Sequence, residues 1–191
     1  MVQTQLLLTQ SDAGIELTRE EFLEGEFDSQ WRYERTQGRL VVMPPPEFGH
    51  HVAAMTFRDH LGAYRLAHLD SVEFVFQESH TVVDDDTDRI PDIAVYLKTN
   101  EEVAEFPFRV PDVVFEVVSA GWASMKRDYE EKRDEYERLG VREYVIVDRF
   151  DHRLTVLTLK DGHFAESWLG PKDAYTSPLL PGLSIPLSGV I

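Results

Sequence analysis

The chain contains no cysteine, which excludes disulfides and every thiolate metal site. It also lacks a basic balance: 19 lysines and arginines stand against 35 acids, for a net charge of −16. Phosphate-rich partners normally select basic surfaces, so a nucleic-acid role needs a locally basic groove or bound cations. The apolar run Leu6–Leu8 is too short for a signal sequence, and no stretch is long enough to cross a membrane. The expectation is a cytoplasmic protein without membrane association. There is no phosphate loop, no dinucleotide glycine pattern and no Gly-x-Ser-x-Gly elbow. His50, His51 and His60 lack zinc-helix spacing, and His50 and His60 read as helix-surface residues.

What is present suits one globular domain over residues 1–191, 42% hydrophobic and 11% aromatic, with length enough for a real core. Residues 1–17 read as a loose lead-in. Thr18 and Glu21 have capping-box spacing, which predicts a short helix to about Leu23, ended by Gly25. Trp31–Thr36 and Arg39–Met43 read as a hairpin joined at Gln37-Gly38, with Glu34 pointing either to solvent or inward. Pro44 to Pro46 stop that sheet. Val52, Met55, Phe57 and Leu61 predict an amphipathic helix from Phe48 to about Leu66.

Val72–Val83 alternates as one long strand, and Ile90–Leu97 reads as another. Between them Asp84, Asp86 and Asp88 alternate like a calcium loop, but Arg89 and Val95 occupy the positions of its glycine and terminal glutamate. A solvated hairpin tip is the expectation. Asp112–Val118 is apolar except for Glu116, as in a central strand covered on both faces. Trp122–Leu139 is a helix closed by Gly140, and Glu143–Val147 a strand. Arg153–Leu159 and His163–Trp168 form a second hairpin about Asp161-Gly162, and Pro181–Leu187 a last edge strand. Trp31, Trp122 and Trp168 read as core or edge packing. The fold class is α/β, a mixed sheet flanked by helices.

On a helical wheel of ~100° per residue, Met125, Tyr129, Lys132, Tyr136 and Leu139 share one stripe. The other faces carry Arg127, Glu130, Arg133, Asp134, Glu137 and Arg138, so the stripe faces the sheet with Lys132 in its middle. An inward lysine needs an acid within reach or loses its proton. Asp92 and Glu116, on neighbouring strands, are the available inward acids. Two carboxylates and a lysine at strand ends can hold a hard divalent cation such as magnesium and stabilise charge developing on a phosphoryl group. Each residue also has a plain reading. Pro-Asp is common turn chemistry, as expected for Asp112, and a buried lysine–glutamate pair can be purely structural.

At PDIAVY, PDVVFEVVS and DYEEKRDEYERLGVREYVIVD the sequence resembles the Uma-two family of bacterial restriction endonucleases, within the PD-(D/E)XK nuclease-like superfamily. The resemblance runs from WRYERTQGRLVVMPPPEFGHH to PGLSIPL. It implies a restriction-endonuclease-like core with flanking helices and an extra hairpin. It also implies metal-dependent phosphodiester hydrolysis, with magnesium or manganese as cofactor and nucleic acid, DNA foremost, as partner. Asp92 and Glu116 would be the metal ligands and Lys132 the catalytic lysine. Val118 stands where the superfamily's usual lysine would be, so the following helix supplies it at Lys132. Glu34 and His51 match positions near the site, and Asp128 either caps the helix region or pairs with Lys132 at i+4. Cutting both strands of a duplex needs two active sites, hence the expectation of a homodimer. The alternative is a catalytically inactive nuclease fold serving as a binding or assembly module, its acid–lysine cluster structural.

Overall fold

The computed structural model describes residues 7–191, so part of the expected lead-in, residues 1–6, lies outside the described residues. The rest of that lead-in is tied down. β1 (Leu7–Leu8) leads to α1 (Arg19–Glu24) and then β2 (Glu26–Phe27), which pairs in parallel with β1. Leu8 is fully buried in a cluster with Leu17, Phe22, Tyr33 and Leu40. The start of α1 follows its capping box: Thr18 Oγ1 accepts from the Glu21 N–H, and Glu21 Oε2 accepts from the Thr18 N–H. Gly25 follows for want of space, since a Cβ there would lie 3.0 Å from both the Glu21 carbonyl and Leu8 Cδ1.

β3 (Arg32–Thr36) and β4 (Arg39–Met43) form the expected hairpin, with Gln37 and Gly38 at φ 52° and 70°, as a type I′ turn requires. α2 (Phe48–Ala67) buries His50, Ala53, Ala54, Phe57, Leu61 and Tyr64, and leaves Met55 exposed. The long strand expected over 72–83 is broken. β5 (Val72–Gln77) ends at Glu78, whose φ of 51° leaves the extended region, and β6 (Thr81–Val82) then joins a different sheet with β7 (Asp88–Arg89). That sheet has the order β4-β3-β7-β6. The supposed hairpin tip is exposed at Asp84–Asp86, but Asp88 is fully buried. It accepts from Arg35 Nε at 2.6 Å and Arg19 Nε at 3.0 Å, and bonds His80 Nε2 at 2.9 Å.

The main sheet comprises β8 (Ile93–Leu97), β9 (Val113–Val117), β10 (Glu143–Asp148), β11 (Arg153–Lys160) and β12 (His163–Leu169), in the order β12-β11-β10-β9-β8-β5. β9 and β10 are parallel, so they need a crossover, and residues 122–139 provide it as one continuous helical run. The run consists of α3 (Trp122–Lys126), a π turn over Arg127–Glu131, and α4 (Lys132–Leu139). Gly140 closes it in the left-handed region at φ 88°. A small antiparallel pair follows, β13 (Ala174–Ser177) with β14 (Leu180–Pro186); the sequence reading missed β13.

Strand alternation assigns the two faces of the main sheet. Val113, Phe115 and Val117 pack with Phe57 and Leu61 of α2 and with Tyr175 and Ile185. Val114 and Val118 pack with Tyr136, Tyr144 and Ile146. Trp122 and Trp168 are 75% and 68% exposed, contrary to the packing roles expected of them. Trp31 is half-buried at the edge of the N-terminal cluster.

Candidate active site

Side chains along a strand alternate between faces, so Glu116, between Val114 and Val118, points to the α4 face. On β8, Ile93 and Val95 face α2, which turns Asp92 and Ala94 the opposite way. β8 and β9 pair with Ile93 opposite Phe115 and Ala94 opposite Val114; one step further along that register sets Asp92 opposite Glu116. The Val117 N–H donates to Asp92 Oδ2 at 2.8 Å and pins it there. Both acids are 3% exposed.

Lys132 enters the same space from the helix. Its Nζ donates to Glu116 Oε1 at 2.7 Å and lies 3.3 Å from Glu34 Oε1 and 3.8 Å from Asp128 Oδ1. The π turn adds a residue to the preceding turn and rotates the seam, so Asp128 is buried while Met125, expected inward, is 36% exposed. Tyr136, one turn after Lys132, donates its hydroxyl to Glu116 Oε1 at 3.0 Å. Glu34 points inward, where Arg89 Nη1 donates to its Oε2 at 2.8 Å.

Burial pushes the Glu116 carboxyl up to about 7; Lys132 opposes this, and Asp92, Asp128 and Glu34 reinforce it. Burial also raises Asp128, against Lys132 and Arg127. For Glu34, burial is outweighed by Lys132, Arg89 and Arg127, which hold its carboxyl down at about 2. Asp92 likewise sits well below the usual range, because His50, Arg32 and the Val117 N–H together outweigh burial. Burial disfavours the Lys132 ammonium, but Glu116, Glu34 and Asp128 more than offset it and hold the side chain protonated. Three carboxylates, Glu116, Glu34 and Asp128, crowd one ammonium, so the lysine keeps its proton and the most crowded acid resists losing its own.

Three residues at the site, His50, Ser119 and Arg32, were given no site role by the sequence reading. His50, read as a surface residue, is 2% exposed, with Nε2 at 3.1 Å from Asp92 Oδ1 and Nδ1 at 3.3 Å from Ser119 Oγ. With Asp92 accepting, Nε2 carries the hydrogen, and in the neutral ring Nδ1 accepts from the serine. Arg32 Nη2 donates to Asp92 Oδ1 at 3.0 Å. His51, the histidine singled out from sequence, is exposed, its ring 6.2 Å from that of His50. The helical phase held the only signal: His50, Ala53/Ala54, Phe57, Leu61 and Tyr64 form an i, i+3/i+4 stripe that excludes His51.

Asp92, Glu116, Asp128, Lys132, Arg32 and Ser119 border a cavity of about 20 Å³, room for one water-sized occupant. A hard divalent cation takes oxygen ligands and keeps several waters. Lys132 and Tyr136 both bond Oε1 of Glu116, leaving Oε2 without a protein donor among the described residues. Among the described residues, Asp92 Oδ2 receives only the Val117 N–H. The donor set therefore fits such an ion held by two carboxylates and water. Among the described residues, no group of three or more His, Asp or Glu is placed to hold a metal ion by itself. A larger cleft of about 760 Å³, bordered by Leu97 and Asp112, lies at the other ends of β8 and β9 and shares no lining residue with this cavity.

No curated protein matches the chain. Among solved structures, it is similar to the crystal structure of "a putative nuclease belonging to DUF820 from Anabaena variabilis". The two share 16% identity and a TM-score of 0.71, over 91% of this chain and 97% of that one, which shows a common fold. The Uma-two family model, described as "Putative restriction endonuclease", matches residues 19–188, and the chain belongs to that family.

Proposed function

We propose that the protein is a magnesium- or manganese-dependent nuclease acting on the phosphodiester backbone of nucleic acid. One observation carries this reading: the β8–β9 register sets Asp92 opposite Glu116, with the Lys132 ammonium 2.7 Å from Glu116, at a cavity of ionic size. Asp92 and Glu116 would hold the ion, which when bound supplies a polarised phosphoryl oxygen and an acidified water. Lys132 is held protonated by its acid neighbours, which suits it to stabilise negative charge on the phosphoryl group and to orient a water. His50 holds the Asp92 carboxylate in place and is itself held by Ser119. Arg32, Arg127 and Lys132 border the cavity and offset most of the charge of its four acids, Glu34, Asp92, Glu116 and Asp128. A depression of about 400 Å³, walled by Arg32, Arg127, Ser119 and Ser124, leads up to it and offers a path for the strand.

The test is nicking of supercoiled plasmid DNA, and cleavage of RNA, by the purified chain with manganese. Wild type is expected to nick, and Asp92→Ala and Glu116→Gln to lose nicking. A wild type as inert as Asp92→Ala on both substrates would sink the reading. A second reading is favoured by the pairing already present in the cluster, where Lys132 bonds Glu116 and Asp92 bonds Arg32 and His50. On that reading the set is a structural ion network in a binding or assembly module. Metal titration by calorimetry separates the two: binding lost in Glu116→Ala supports the nuclease, whereas no binding together with strong destabilisation by Lys132→Ala supports the module.

A further inference from the structure

A second depression, of about 370 Å³, adjoins the carboxylate cavity, and the two share Arg32, Glu34 and Met43 as walls. Its other walls are mainly apolar: Phe22 and Leu23 of α1, Phe27 of β2, and Trp31 at the entry to β3. Phe22 and Phe27 meet edge to face at 5.3 Å, and Phe27 packs on Tyr33 at 4.8 Å, so the aromatic wall is held by packing behind it. Leu23 is 49% exposed and Trp31 half-buried, so the lining is open to an incoming group. An apolar, aromatic hollow with a few convergent polar groups is the form of a small-ligand site.

Its position narrows the choice of occupant. Arg32 lines the hollow and reaches Asp92 Oδ1 at 3.0 Å; Glu34 lines it and lies 3.3 Å from Lys132 Nζ. A group seated there is therefore one side chain away from whatever the carboxylates and the lysine engage. Charge narrows the choice further. A chain of net charge −16 gains little from neutralising many phosphates. Stacking of a base on an aromatic side chain is independent of net charge and tolerant of sequence.

We propose that this hollow receives an unstacked nucleobase of the strand whose phosphate lies at the carboxylates, so the substrate is single-stranded or locally melted nucleic acid. The proposal rests on the nuclease reading above for the neighbouring phosphate. In an intact duplex each base is already stacked and paired, and presenting one here would need flipping, which is disfavoured.

The test is fluorescence anisotropy of the full chain in EDTA with a labelled single-stranded DNA, the same sequence as RNA, and its DNA duplex. At least one of the single strands is expected to bind about tenfold or more tighter than the duplex. Trp31→Ala and Leu23→Asp should each weaken that binding about tenfold and leave duplex binding unchanged. Trp31→Phe, which keeps an aromatic face, should retain most of it. Leu23 is exposed, so Leu23→Asp decides the matter even where Trp31→Ala fails to fold. No binding by wild type, equal binding of strand and duplex, or equal weakening of both by Leu23→Asp would overturn the proposal. Manganese-dependent cleavage that neither variant affects would retain the nuclease and discard the hollow. Single-strand binding that depends on both variants, in a wild type that does not cleave, would retain the hollow and discard the nuclease.

Discussion

Arg89 offers the sharpest test of what holds the site's walls together. It is 1% exposed, with Nε and Nη2 each donating at 2.7 Å to the two oxygens of Glu135, and Nη1 donating at 2.8 Å to Glu34. One guanidinium thus joins β7 of the smaller sheet to α4 and to β3. Arg89→Met keeps much of the volume but leaves two buried carboxylates short of a partner. Removing one partner of a buried ion pair costs about 3–5 kcal/mol, roughly a fifth or more of the total stability of an ordinary domain, about 5–15 kcal/mol. For a domain of this size the melting temperature should fall by roughly 6–20 °C. Arg133–Glu166 is a control of equal length, also 2.7 Å, but with side chains 33% and 47% exposed. Solvent screening there limits the loss in Arg133→Met to about 1 kcal/mol or less. Urea unfolding followed by circular dichroism measures both, with m unchanged if the variants stay two-state. Glu135→Met added to Arg89→Met should recover part of the loss, because an apolar pair no longer strands a charge. If Arg89→Met costs no more than Arg133→Met, burial is not what sets the strength of these pairs and the reasoning is wrong.

Asp88 governs a part of the acid limb: burial pushes its carboxyl up, but hydrogen bonds from His80, Arg19 and Arg35 outweigh that and hold it below its usual value. A depressed native value contributes stability above the ordinary carboxylate range, lost as pH falls through that range and below it. Asp88→Asn should therefore flatten the fall in urea midpoint between about pH 5 and pH 2; an unchanged acid limb would contradict the assignment. His50→Ala should weaken metal binding in calorimetry about 10- to 100-fold through the freed Asp92, whereas His51→Ala should leave it unchanged. Equal effects from the two histidines would overturn the placement of His50. Gly140→Ala meets nothing within 4 Å, so its cost is purely that of φ 88°, about 1 kcal/mol in urea unfolding; a neutral result would show that the helix ends differently in solution.

Much of the fold was legible because it is written in short-range chemistry. Thr18 and Glu21 cap α1 as their spacing requires, and Gln37-Gly38 and Asp161-Gly162 turn the two hairpins. Glu116 interrupts an apolar strand that is buried on both faces, and Lys132 sits in an apolar seam that needs an inward acid, which that strand supplies. The long strand over 72–83 misled because alternation continues through Glu78, while the backbone there turns to φ 51°. Nothing in a two-residue period reports such a turn.

The sequence by itself determined the caps, the turns, the apolar strands and the need of one inward lysine for an inward acid. Those features depend on backbone angles and on residues a few positions apart, which a linear chain displays. Only the tertiary structure decided that His50 rather than His51 meets Asp92, across 42 positions, and that Arg32 meets it across 60. It alone placed Arg89 between Glu34 and Glu135 and rotated Asp128 inward through a π turn. The physical reason is that a side chain's partner across such distances is set by which faces pack and by how the helix winds between them. Neither quantity has a local signature, and at this site both determine which charges are left for chemistry.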